Sequence, residues 1–247
     1  MVMDRADRPQ KTAMIIARRI IADIEREGLR PGDRLPPERV MLEQYQVGRG
    51  TLRESLRYLE LSGALSIKPG PGGGPTVQKP DGSHLMTGLG LLLQFEESPF
   101  GTIVEARVGL EPLMARMAAE HRTEEHRRVL TESVRAMEEH LDDLDVFLAA
   151  NRRFHNTIAW ASGNALYGYL VDAMDGVFVG AGVGVAYSER LRSRVLADDV
   201  AILTAIAEGD PDAAEAAMRA HVAQWTAYLR DNFPGELSRP IAWNVMR

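Results

Sequence analysis

A chain of 247 residues that is 45% hydrophobic and 26% charged has enough apolar material for one sizeable core or two unequal ones, and its composition is not that of a disordered segment. The absence of cysteine excludes a disulfide framework, a thiolate metal site and a cysteine nucleophile. Residues Met1 to Gln10 mix charges of both signs with no apolar stretch after them, and the longest apolar run, Val177 to Tyr187, falls short of the roughly 20 residues that cross a bilayer. A cytoplasmic protein with no membrane partner is expected. The net charge of −6 hides an asymmetry: residues 1–80 carry 14 Lys and Arg against 10 Asp and Glu, residues 81–247 carry 15 against 25. A basic head on an acidic body is the pattern of a tethered nucleic-acid reader.

Residues 1–10 read as a flexible arm. From Lys11 to Glu27, Ile16, Ile20 and Ile24 recur every fourth position with Ala13 and Ala17 beside them, the period of an amphipathic helix that Gly28 ends. Leu29 to Leu35 holds a Pro-Gly-Asp turn leading into a very short strand. Pro36 and Pro37 open a second helix, roughly Glu38 to Tyr45, because first-turn amides lack helical partners anyway. After the tight turn Gln46-Val47-Gly48 a third helix begins at Arg49, so two short helices flank a tight turn as in a helix-turn-helix. Leu65 and Ile67 alternate as a strand, Pro69 to Pro75 forms a loop, and Thr76-Val77 returns as a second strand, together a wing. This gives a winged helix-turn-helix over residues 11–78 and a polar linker over 79–84. Residues 85–231 show helical period in seven segments, 85–95, 100–121, 123–141, 143–161, 164–191, 194–208 and 211–231, as expected of an all-helical bundle. Residues 232–247 read as a tail in which Trp243 packs back. The expected fold is therefore mostly α, a winged helix-turn-helix followed by an all-α bundle.

On the third helix, steps of 100° put Leu52, Leu56 and Leu59 on the buried face and Arg49, Arg53 and Arg57 in a separate stripe. Arginine forks suit guanine edges and phosphates, and a helix of this size fits the major groove. The bland alternative is that the arginines only solubilise the helix or pair with Glu54 and Glu60. The string Pro31 to Leu65, PGDRLPPERVMLEQYQVGRGTLRESLRYLELSGAL, resembles the signature of the GntR family. That resemblance implies double-stranded operator DNA as partner, contacted by Arg39, Arg49, Thr51 and Arg53, with Gly70 of the wing approaching the minor groove. Gly48 and Gly50 depart from it, standing where hydroxyl residues are usual, which implies altered operator preference.

In the body, four polar residues occupy positions where helical geometry calls for apolar ones: Asn151 and His155 beside Phe147, Phe154 and Ile158; Asp199 within the arc of Leu196, Leu203 and Ile206; and His221 beside Met218, Val222 and Trp225. Buried groups of this kind must meet one another or a ligand. Arg107 shares the face of Ile103, Leu110 and Met114, and it either pairs with Glu111 one turn on or anchors a ligand carboxylate or phosphate. The spacings are similar to those of the FadR-type subfamily of GntR regulators, whose helical FCD-like domain binds a small effector. The resemblance implies effector-binding roles for Arg107 and Asn164, and a divalent metal at the positions of Asn151, His155, Asp199 and His221. Two of those four differ from the subfamily, Asn151 standing for Asp and Asp199 for His. A set of one carboxylate and two imidazoles still suits zinc or a nickel-like ion. The effector is expected to be anionic, a carboxylate or an acyl-CoA.

The stretch Gly176 to Gly184 holds four glycines in nine residues, which suits close helix packing, including at a dimer interface, or room for a bulky effector. These features point to a ligand-responsive transcription regulator, a repressor, working as a homodimer and not as an enzyme. The competing class, a metal-dependent helical enzyme with an accessory DNA-binding head, lacks a Glu-x-x-His pair and a His-Glu-x-x-His motif in the body.

Overall fold

The structure, a computed structural model, describes residues 7–70, 72–180 and 187–242. Two compact units divide between His84 and Leu85.

The first unit opens with α1 (Asp7–Glu27), which starts within the stretch expected to be a flexible arm; residues 1–6 lie outside the described residues. Ile16, Ile20 and Ile24 are buried on one face with Ala13 and Ala17, as their period requires. After α2 (Glu38–Tyr45), the chain reverses through Gln46, whose left-handed φ of 53° lets α3 (Arg49–Leu61) start three residues on. Leu52, Leu56 and Leu59 point inward, and Ser55 Oγ donates to the Ala13 carbonyl at 2.9 Å, tying α3 to α1. Strands β1 (Leu65–Lys68) and β2 (Gly74–Val77) pair antiparallel in the register Leu65 to Val77. The expected short strand before α2 is a single bridge, Arg34 to Thr76, flanked by Leu35 N to Pro75 O and Val77 N to Asp33 O.

The second unit holds α4 (Gly82–Phe95), α5 (Gly101–His121), α6 (Glu124–Glu139), α7 (Leu144–Ala161), α8 (Ala165–Gly180), α9 (Glu189–Glu208), α10 (Pro211–Asn232) and the short α11 (Pro234–Leu237). Several starts are fixed by side-chain caps: Thr123 accepts from His126 N, Asp143 from Val146 N, Ser188 from Leu191 N and Asp210 from Ala213 N. The core runs through Met114, Leu130, Met137, Phe147, Phe154, Ile158, Ile202, Ile206 and Met218, where α5 packs on α10 and α7, and α9 on α10.

Two expectations are corrected. The helix read over 164–191 ends, within the described residues, at Gly180, and the next starts at Glu189 rather than 194, because the Ser188 hydroxyl caps it. The 79–84 linker is partly helical: α4 begins at Gly82, with Asp81 accepting from Ser83 N at 3.0 Å. In the tail, Ile241 is buried, its N–H donating to Ser98 O while Phe100 N donates to Arg239 O. Trp243, also expected to pack, lies outside the described residues. Of the glycine run, Gly176 is closely packed: a Cβ there would clash with Met86 Sδ on α4, whereas Gly182 and Gly184 lie outside the described residues.

Candidate functional site

In the first unit, α3 turns its leucines inward and leaves Arg49, Arg53 and Arg57 on the surface. Arg53 donates to both carboxylate oxygens of Glu38 at 3.1 and 3.4 Å, Arg39 to Glu43 at 3.2 Å, and Arg57 to Glu60 at 2.6 Å. Such exposed pairs contribute on the order of 0–1 kcal/mol each, so a phosphate can displace them cheaply. Arg49 has no ion pair among the described residues and opens α3, with Thr51 half-buried two residues on. Gly70 stands in the β1–β2 loop with φ of 97°, a conformation L side chains rarely adopt, and this allows the tight wing tip where Gly73 N donates to its carbonyl.

The second unit also buries charged groups. His155 on α7, Asp199 on α9 and His221 on α10 are all buried, and one ligand atom from each lies within 4.8 Å of the others. His155 Nε2 and His221 Nε2 stand 4.0 and 3.9 Å from Asp199 Oδ1, and the two rings stack at 5.3 Å. The outward nitrogens face carboxylates: His155 Nδ1 lies 2.9 Å from Glu111 Oε2, and His221 Nδ1 lies 3.4 Å from Asp198 Oδ2. A proton on each Nδ1 leaves both Nε2 lone pairs converging on Asp199, the arrangement in which carboxylates orient metal-binding histidines. The inner separations are too long for hydrogen bonds yet within the sum of two metal–ligand bonds of about 2.0–2.2 Å. Neither Asp199 oxygen has a hydrogen-bond partner among the described residues, although the residue is wholly buried. Burial pushes its carboxyl up to about 7, with His221 opposing the rise and Asp198 adding to it. Unpartnered buried acceptors beside two imidazoles fit a cation, so His155, Asp199 and His221 are the residues that can hold a divalent metal. Asn151 sits one turn before His155, its Oδ1 also buried without a hydrogen-bond partner among the described residues.

Arg107 and Glu111 form a buried ion pair one turn apart on α5, through Arg107 Nε and Glu111 Oε1. Burial works against both charges, but each holds the other ionised: Glu111 is kept well below the usual carboxylate range and Arg107 above its own. A cavity of about 420 Å³ opens beside the cluster. His155, His221, Asn151 and Arg107 line it, as do Asp175 from α8 and an apolar wall of Val104, Val195 and Trp225. Tyr187 closes over Trp225 in a stack at 5.1 Å. Asp175 is 7% exposed, and burial pushes its carboxyl up to about 6 against the pull of Arg107.

Residues 12–73 match the model of the bacterial regulatory proteins of the gntR family, and residues 102–224 match the FCD domain. The chain belongs to the GntR family. It is a DNA-binding transcription regulator of the FCD-bearing, FadR-type branch and not an enzyme. Among relatives, it is 28% identical to the HTH-type transcriptional repressor NanR of Salmonella arizonae over 214 residues, covering 83% of this chain and 81% of that protein. The NanR repressor of Salmonella typhimurium is 28% identical over 204 residues, covering 81% and 77%. Among solved structures, Streptococcus agalactiae GntR superposes with a TM-score of 0.67 at 26% identity, over 87% of this chain and 99% of that one.

Within this GntR-family chain, the body residues singled out by helical period, Arg107, Asn151, His155, Asp199 and His221, gather around one cavity or its floor. Asn164 does not line it: its Oδ1 accepts from Leu166 N at 3.0 Å and so caps the start of α8. Sequence reasoning missed Asp175, although it lies one turn after the buried Val171 and carries the same inward-polar signal as Asp199. It also missed Tyr187, Asp145 and Arg152, for which no comparable signal exists.

Proposed function

We propose that this regulator is a homodimeric cytoplasmic repressor that grips operator DNA with α3 and the wing and lets go when a small anionic metabolite fills the cavity of its FCD domain. The observation that carries the reading is the cavity itself, a void of about 420 Å³ bordered by two buried histidines, two guanidiniums and an aromatic wall, in a chain with a GntR head. In the head, Arg49 and Arg53 reach base edges and phosphates, Arg39 and Thr51 hold the backbone, and Gly70 lets the wing approach the minor groove.

His155, Asp199 and His221 hold a divalent ion such as zinc or nickel, with Asn151 Oδ1 as a fourth, weaker oxygen. The ion supplies a fixed positive charge at the cavity's inner end. Arg107 and Arg152 add cationic character, and the apolar wall shields the bound anion from water. A ligand shifts DNA affinity only through its different affinity for the two states of the protein, so release tracks effector concentration. The exposed apolar side chains Leu92 and Phe95 on α4, 67% and 79% accessible, suit burial against a second copy.

Fluorescence anisotropy on a palindromic fragment from the protein's own promoter tests the head. Unchanged affinity in the double variant Arg49→Ala, Arg53→Ala refutes it. Elemental analysis of untagged protein tests the centre. Less than about a tenth of an equivalent of transition metal, unrestored by dialysis against zinc and unaffected by His221→Ala, refutes the metal.

A further inference from the structure

Among the head's surface arginines, Arg53 is held differently from its neighbours. Arg39 donates to Glu43 and Arg57 to Glu60, each through Nη1 alone and to a glutamate three or four residues on along the same helix. Arg53 reaches instead from α3 to Glu38, the first residue of α2, and spends two nitrogens on it: Nε donates to Oε1 at 3.1 Å and Nη2 to Oε2 at 3.4 Å. This fork spans the turn between the two helices and sets the plane of the guanidinium as well as its position. Glu38 is itself favoured where it stands, since the first turn of a helix attracts a carboxylate. The other edge of the guanidinium, Nη1–H beside the second Nη2–H, has no partner among the described residues, and the side chain is 70% exposed. One turn before Arg53, Gly50 brings no side chain to compete for that edge.

We infer that Glu38 is a positioning residue of operator recognition, fixing Arg53 so that its free edge reads the O6 and N7 of a guanine in the major groove in preference to a phosphate. The inference rests on the reading of α3 as the DNA-gripping helix. Two parallel N–H groups match the two adjacent acceptors of guanine, whereas adenine sets an amino group beside its N7 and would meet donor with donor. The choice between base and phosphate follows from charge. Letting go of a surface carboxylate is cheap in itself, but Glu43 is 69% exposed and can swing aside, while Glu38 is only 36% exposed at the start of α2. A phosphate drawn to Arg53 therefore comes up against the carboxylate it has displaced; the acceptors of guanine carry no net charge. Nonspecific DNA, bound almost wholly through its phosphates, gains little from Arg53, and an operator guanine gains both hydrogen bonds. Glu38 thus lowers total DNA affinity and raises discrimination, a repulsive element of the kind that specific interfaces use. The pair need not stabilise the fold to do this, because what it sets is an orientation.

The test selects duplexes from a random-sequence library with the full-length parent protein, then measures anisotropy on the selected duplex and on a scrambled duplex of equal composition over a range of salt. Each selected half-site is expected to hold a guanine whose replacement by 7-deazaguanine, which lacks N7, weakens the parent at least about fivefold and Arg53→Ala less than about twofold. Arg53→Lys, with Glu38 untouched, keeps the charge but lacks the fork, so it should lose the 7-deazaguanine response as well. Glu38→Gln, with Glu38→Ala beside it, should bind the scrambled duplex tighter, with a salt slope steeper by about one for each bound head. The ratio of selected to scrambled affinity should fall at least about tenfold while the melting temperature stays at the parent's. In an Arg53→Ala background the same Glu38 changes should move that ratio less than about twofold, because Glu38 acts through Arg53. Glu38 variants that discriminate as the parent does overturn the inference, as does a 7-deazaguanine response that survives in Arg53→Lys. Sequence-selective binding that the Glu38 changes leave intact removes this role for Glu38 alone. A library from which no duplex is enriched overturns the reading of α3 as well.

Discussion

The two units use charge in opposite ways. The head carries its functional guanidiniums on the surface, where Arg39 leans on Glu43 one turn on and Arg53 on Glu38 of α2, and both are still more than two-thirds exposed. The body sinks Arg107, Glu111, His155, Asp199 and His221 into its core, each beside a countercharge. A surface arginine is held weakly and is free to exchange its partner for a phosphate. A buried one cannot exchange anything without disturbing its neighbours. The head is thus built to bind a large polyanion reversibly, and the body to register small changes in what occupies its interior.

The sharpest way to break this contrast is to remove one buried partner. Glu111→Ala takes the buried ion-pair partner from Arg107 and the orienting carboxylate from His155, and it should destabilise the protein by about 3–5 kcal/mol in chemical denaturation. The double change Arg107→Leu, Glu111→Leu should restore most of that stability while weakening metal and effector binding. A single Arg107→Leu would confound the two effects.

Asp175 gives the next effect, and its sign is set by pH. Its carboxyl is raised by burial from about 3.8 to about 6, so the folded state binds this proton more tightly than the unfolded one. The protein therefore loses stability as pH rises from about 4 to about 6, and above that the penalty is constant, on the order of 3 kcal/mol. Asp175→Asn should accordingly be more stable than the parent at pH 8 and show no advantage near pH 4, as read from paired denaturation curves of metal-free protein.

Zinc at about 100 times its dissociation constant should stabilise the body by about 2.7 kcal/mol, an effect that chelation or His221→Ala abolishes while the head's DNA affinity stays intact. Smallest is the head's own response. Arg53→Ala should cost roughly 1–3 kcal/mol in specific DNA binding yet leave the melting temperature unchanged, because its Glu38 partner is a surface group. A large melting shift in that variant would erase the distinction between the two units.

What the sequence reveals follows the same division. Leu52, Leu56 and Leu59 repeat at helical spacing because one face of α3 must be buried, and that repetition alone exposes the arginine stripe beside it. His155, Asp199 and His221 are legible for the converse reason, polar groups sitting in apolar arcs. Their convergence is not, since nothing local brings α7, α9 and α10 together. Asn164 shows the limit of motif likeness: an Asn at a helix start satisfies itself by capping, and only the backbone reveals that it is turned to Leu166 N and away from the cavity. Asp175 escaped because it adjoins a glycine run, where packing was the more obvious demand. The start of α9 depended on one hydroxyl, Ser188, inside a segment that reads as helical.

The strap around Ile241 carries a consequence of its own. Ile241 N reaches Ser98 O and Phe100 N reaches Arg239 O, and Phe100 packs with Val104 and Leu229, with Trp225 and Leu237 against them. Val104 and Trp225 are also the apolar wall of the cavity. During synthesis, at about 5–20 residues per second and with N-terminal units folding first, the winged head has all of its own core residues seconds before the chain supplies α10 and the strap that closes over Phe100. A nascent or truncated chain thus passes through a stage at which the reader of DNA is assembled and the sensor that should govern it has no wall.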